Sequence, residues 1–198
     1  PKRTTKLKKK KENTFFGLST PQGRSATATI RISGEKTRTV LHRLTSGKIK
    51  NPKHRKSTVL NIYNKNNNLI DNVVVVFFEG PNSYTGDDLV EIHTHGNPII
   101  INRVYNALLD FGLRIADPGE FTRSAYLNNK IDLIQAESIL SLINSNTKEG
   151  VNLSLSNISG TLSAKTVQMR MDIINTLGFV EYELDVSETD TQKNTIVK

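Results

Sequence analysis

Six consecutive residues, Val73-Val74-Val75-Val76-Phe77-Phe78, constrain the fold of this 198-residue chain more than any other stretch. On a strand, successive side chains point to opposite faces. An unbroken apolar run therefore predicts a central strand of a sheet, over 69–78, covered on both faces. Around it, strands are predicted over 26–32, 57–63 and 88–94, with a short one at 113–116, from β-branched composition and bounding turns. Helices are predicted at 35–44, with Val40, Leu41 and Leu44 on the apolar side, and at 98–111, closed by Gly112. Asp117-Pro118-Gly119-Glu120 reads as a helix start, with Asp117 as cap, Pro118 at the first helical position and Glu120 bonding back. Asn128-Asn129-Lys130 breaks that helix, and Asp132 caps another through about 145. From Val151, Leu155, Ile158, Leu162, Met169, Ile173 and Val180 recur at near-heptad spacing. They predict one long amphipathic helix of an antiparallel bundle.

Strand and helix thus segregate: an α/β (α+β) domain is followed by the start of an all-α one. The expected division is a basic disordered leader at 1–12, an α/β domain at 13–130 and a helical part at 131–198. Cysteine is absent, which excludes disulfides, thiolate nucleophiles and cysteine zinc sites. No run of 18 apolar residues and no hydrophobic signal core occurs.

Charge is unevenly spread. Residues 1–11 carry seven Lys and Arg with no acid, and residues 23–65 carry eleven against Glu35 alone. Residues 66–130 hold four basic and eight acidic groups, and residues 131–198 hold five and nine. Such asymmetry can guide a polyanion to one end of a molecule. The alternative for 46–57 is a solvated lysine-rich loop. The leader reads as a nucleic-acid arm or part of a targeting segment.

The polar residues that stand out lie within or beside the predicted strands. Glu91, His93 and His95 sit at i, i+2 and i+4, on one face of the 88–94 strand and ahead of Gly96. Imidazole and carboxylate suit zinc or iron, but one strand seldom supplies a whole metal site and no second ligand cluster exists. A Glu91 that accepts hydrogen bonds from a ligand is the favoured reading; a surface carboxylate is the plain one. Arg31 lies between Ile30 and Ile32 and faces away from both. It is either a solvent-facing arginine or a planar donor fork for a carboxylate-bearing ligand. Lys130 follows two asparagines at a helix break. Gly47-Lys48 is not a P-loop, since His42 stands where the first glycine belongs, so nucleotide hydrolysis by these residues is not expected.

Six strings, in order, resemble the amino-terminal part of the tRNA modification GTPase MnmE (TrmE) family, bacterial or mitochondrial. They are Ser19-Thr20-Pro21 with Gly23-Arg24, Ile30-Arg31-Ile32-Ser33-Gly34, Gly80 to Asp88, Glu91 with His95-Gly96, Arg114 to Thr122, and Leu127 to Leu133 with Gln135-Ala136-Glu137. The resemblance spans about residues 13–185. It implies a tetrahydrofolate-binding, homodimerising domain similar to the folate-binding aminomethyltransferases, then a helical domain into which a G domain is inserted. It further implies an FAD-dependent partner similar to MnmG (GidA), and tRNA as substrate. The wobble uridine would gain an aminomethyl or carboxymethylaminomethyl group at carbon 5 from a folate such as 5-formyltetrahydrofolate. The family's folate contacts map onto Arg31, Glu91 and Lys130, with His95 and Asn128 as weaker neighbours. GTP, Mg and K belong to a G domain outside these residues. The family compartment is the cytoplasm in bacteria and the mitochondrion in organellar members.

Three stretches depart from the family pattern. Ser25-Ala26-Thr27 replaces glycines, Asn97 replaces a glycine, and His93 stands where glutamine is frequent. Two alternatives remain on these residues: a folate-dependent aminomethyltransferase-like module, and a basic RNA-binding module without catalysis.

Overall fold

The computed structural model describes residues 14–195, and side chains through 186. The expected leader at 1–12 lies outside the described residues. The chain separates into two compact units, divided between Ile131 and Asp132.

The first unit is a six-stranded sheet in the order β3-β4-β5-β2-β1-β6. Its strands are β1 (Phe15–Leu18), β2 (Ser25–Ser33), β3 (Ser57–Tyr63), β4 (Leu69–Phe78), β5 (Leu89–Gly96) and β6 (Arg114–Ile115). All neighbours are antiparallel except β1 and β6, so the sheet is mixed. Helices α1 (Thr37–Leu44) and α2 (Pro98–Asp110) supply the apolar cover for one face. Ile30 and Ile32 of β2, Val73, Val75 and Phe77 of β4, and Val90 and Ile92 of β5 are buried there. Val40, Leu41 and Leu44 of α1 and Val104 and Leu108 of α2 join the same cluster. This core follows the period of two along each strand and the period of 3.6 along each helix.

The opposite face is less covered. Val74, Val76 and Phe78 are only half-buried, so the prediction that β4 is covered on both sides holds for one side alone. Helix α3 (Glu120–Leu127) packs at one end of this face through a Phe15–Phe121 edge contact, centroids 5.0 Å apart.

Asp117 was expected as the cap and Pro118 as the first residue of α3, yet the helix begins at Glu120, with Gly119 as cap at φ +74°. Glu120 does accept from the Asp117 amide at 2.8 Å. Its carboxylate is also drawn to Arg114 at 2.8 Å, and the left-handed Gly119 turns the chain before the helix can start. Helix α2 opens on Asn97, whose side chain accepts from the Ile99 amide at 2.8 Å. The departure from glycine at this position thus supplies a cap.

The second unit holds α4 (Leu133–Ile143), α5 (Lys148–Ile158) and α6 (Thr161–Thr195). Asp132 and Gln135 form a reciprocal capping box on α4. The single long helix expected from Val151 is two: Gly160, at φ +91°, breaks it after Ser159. Apolar spacing runs through the break, so periodicity alone conceals it.

Candidate functional site

The half-open sheet face collects the polar residues. In the β2–β5 register Arg31 stands opposite Glu91 and Thr29 opposite His93, while Gly17 of β1 stands opposite Arg31. Arg31 Nε donates to Glu91 Oε1 at 2.8 Å. The two side chains are 34% and 19% exposed, so the pair is neither fully solvated nor sealed. Glu91 Oε2 lies 3.9 Å from His93 Nε2, beyond hydrogen-bond reach. His93 Nδ1 is instead 3.0 Å from Thr29 Oγ1. No hydrogen bond to the terminal Arg31 nitrogens occurs among the described residues. A carboxylate oxygen and the outer edge of a guanidinium therefore stay available side by side.

The loop between β4 and β5 forms one wall. Arg31 Cζ sits 5.8 Å from the centre of the Tyr84 ring, and Tyr84 Oη is 2.9 Å from Thr122 Oγ1 of α3. Thr85 Oγ1 is 2.7 Å from Ser33 Oγ, two residues beyond Arg31 on the same face. Asn128 donates to the Thr85 carbonyl at 2.7 Å and to Asp87 Oδ2 at 2.9 Å. Gly86, at φ +83°, is required here: a Cβ would meet Asn128 Cβ at 2.9 Å and Lys130 Cγ at 3.2 Å. This loop brings Asn128 and Lys130 to the same wall that Tyr84 extends over Arg31. Lys130 is exposed, and its ammonium has no ion-pair partner among the described residues.

His95 goes elsewhere. It lies four residues from Glu91, about 13 Å along a strand. Its Nδ1 is 2.8 Å from Asp71 Oδ1, and its amide donates to Asp71 Oδ2 at 2.9 Å. Sharing a face with Glu91 does not bring it to the pair. No group of three or more His, Asp or Glu side chains suited to a metal occurs among the described residues.

Tyr84, Thr85 and Thr122 were not expected as site residues. An aromatic side chain in a loop bounded by glycines, joining two interior strands, was the available signal. On the α3 side, Arg114 and Glu120 clasp each other, and Arg114 Cζ lies 5.2 Å from the Phe15 ring centre. The hydrogen bond from Arg114 holds the Glu120 carboxyl below its usual pKa, and Glu120 in turn raises that of Arg114.

Fold and site define a class: a mixed-sheet α/β domain with an ion pair on its open face, joined to helices. Residues 14–130 match the family model described as the GTP-binding protein TrmE N-terminus. The chain is 40% identical to the tRNA modification GTPase MnmE of Fervidobacterium nodosum over 179 residues, covering 89% of this chain and 39% of that protein. It is 37% identical to MnmE of Francisella philomiragia over 192 residues, covering 93% and 42%. Against MnmE of Campylobacter curvus it is 36% identical over 180 residues, covering 91% and 40%. The chain belongs to the MnmE (TrmE) family and corresponds to its amino-terminal region. It spans about two fifths of the length of these curated relatives. Among the described residues no helix is long and apolar enough to cross a membrane.

Proposed function

We propose that this chain is the tetrahydrofolate-binding and dimerising part of a tRNA wobble-uridine modification GTPase, with Arg31 and Glu91 at the folate site. The observation that carries this reading is the half-buried Arg31–Glu91 pair with one carboxylate oxygen and the guanidinium edge unengaged. A pterin presents an amide-and-amine edge like that of guanine. A carboxylate accepts hydrogen bonds from such an edge, which assigns Glu91 to the pterin. Arg31, with its planar fork, and Lys130, as a point charge, suit the ligand's remaining polar groups and its glutamate tail. Tyr84 adds an aromatic wall over Arg31, and Asn128 positions the loop that carries it. When bound, the folate supplies the one-carbon unit; these residues bind and orient it. His95, tied to Asp71, serves the end of the sheet rather than the pterin.

The whole protein would act on tRNA as a homodimer with an FAD-dependent partner similar to MnmG. GTP, Mg and K would be bound by a G domain outside this chain. The aminomethyltransferase-like architecture belongs to the same proposal. In bacteria the protein would work in the cytoplasm, and in an organellar setting in the mitochondrion.

Calorimetric titration with 5-formyltetrahydrofolate tests the site. Glu91→Ala weakens binding more than His93→Ala, because a pterin edge left unpaired costs about 1–3 kcal/mol. Equal losses, or none at Glu91, would remove the assigned role.

A further inference from the structure

The basic segment between α1 and β3 is not a free solvated loop. Near α1, the Ile49 amide donates to Thr45 Oγ1 at 3.3 Å, and the Ile49 carbonyl is 3.0 Å from His42 Nδ1. Near β3, the Arg55 amide donates to the Phe77 carbonyl at 2.7 Å, and His54 Nδ1 accepts from the Glu79 amide at 2.9 Å. Between these anchors lies a cavity of about 400 Å³. Lys48, Lys50, Lys53 and Lys56 line it together with the buried Val75 and Phe77.

Charge is not balanced there. No carboxylate lies within ion-pair distance of these four lysines among the described residues. Arg38 of the preceding helix, by contrast, is neutralised by Asp88 and Glu79, both at 2.7 Å. Lys48 Nζ lies over the Tyr63 ring, 5.7 Å from its centre. Like charges held around one concavity with an apolar floor focus a positive field outward.

We infer that this cleft binds the phosphodiester backbone of RNA. Lysine is a point charge on a flexible stem without arginine's planar fork, which suits tracking a backbone rather than reading bases. The concave form favours a protruding phosphate over a flat lipid surface, and Val75 and Phe77 are a buried floor, not exposed membrane anchors. The cleft is independent of the folate site. It draws on the proposed function only for the choice of RNA.

The test is fluorescence anisotropy of the full chain with an unmodified tRNA transcript across a salt series. The wild type is compared with Lys50→Gln/Lys53→Gln/Lys56→Gln. A control triple, Lys65→Gln/Lys148→Gln/Lys165→Gln, removes equal charge elsewhere; all proteins keep residues 1–12. The cleft triple is expected to flatten the slope of log K against log salt by about 2 and to weaken binding by about 10- to 100-fold near 0.1 M salt. The single Lys53→Glu should move affinity the same way, so a folding fault in the triple cannot decide the result.

An equal effect in the control triple, or none in the cleft triple, would overturn the inference. So would lost binding to phosphatidylserine vesicles with tRNA binding intact, which would mark a membrane contact. Competition by inorganic phosphate at matched ionic strength would mark a small-anion site and also overturn it. Titrating the cleft triple with 5-formyltetrahydrofolate separates the two readings. Unchanged folate heat with lost tRNA affinity supports the cleft, and absent folate binding in the wild type counts against the folate site alone.

Discussion

The two faces of one sheet do different work, and the strands β2, β4 and β5 serve both. Ile30, Ile32, Val75 and Ile92 point to one side and are sealed by α1 and α2. Their immediate neighbours Arg31, Val76, Glu91 and His93 point to the other and stay half-open. A period of two thus separates packing from chemistry without separating them in sequence. Stability should reside on the first face and ligand binding on the second, and each prediction below tries to break that separation.

The largest effect is expected at Ile92. It is fully buried between Glu91 and His93 in sequence, and Ile92→Ala should cost about 2–5 kcal/mol of stability in urea unfolding. Glu91→Ala, one residue away, should leave the unfolding free energy within about 1 kcal/mol, since partly exposed ion pairs contribute little. A comparable loss from both would erase the distinction between the faces.

A smaller effect is expected at Gly86. Gly86→Ala forces a Cβ against Asn128 at a positive φ, which should cost about 1–3 kcal/mol of local strain. Folate affinity should fall with it, because Tyr84 and Lys130 share that loop contact. Calorimetry and thermal unfolding on the same variant give both numbers. Unchanged affinity would mean that the loop is not a wall of the site.

The smallest concerns acid. Glu120, depressed by Arg114, contributes stability that is fully present above its ordinary value of 4.5 and is lost as pH falls through its lower folded value. Glu120→Gln should therefore flatten the decline of stability below about pH 4.5. An acid profile identical to the wild type would mean that the Arg114–Glu120 clasp does not help hold α3 at the open face.

Much of this was legible in the sequence. The β4 strand, the apolar stripe of α2 and the Asp132 cap are strong local signals that the structure keeps, although β4 is covered on one face only. β1 was missed because four residues, Phe-Phe-Gly-Leu, show no alternation, and its partner is set by the distant β2. The break at Gly160 was hidden by apolar spacing that continues across it. Arg31, Glu91 and Lys130 stood out in the pattern and the resemblance grouped them, but their geometric relation was not legible. Arg31 and Glu91 are 60 residues apart, and only the β2–β5 register pairs them. The same register leaves His95 at the Asp71 end, because a shared face says nothing about distance along a strand. Tyr84 needed the loop geometry, which no period encodes.

The most direct measurement is a crystal structure of this chain with 5-formyltetrahydrofolate. The pterin should lie on the open face, with Glu91 against its amide-and-amine edge and Arg31 turned toward the ligand. A folate bound elsewhere, with Arg31 and Glu91 still engaged only with each other, would contradict the assignment of chemistry to that face.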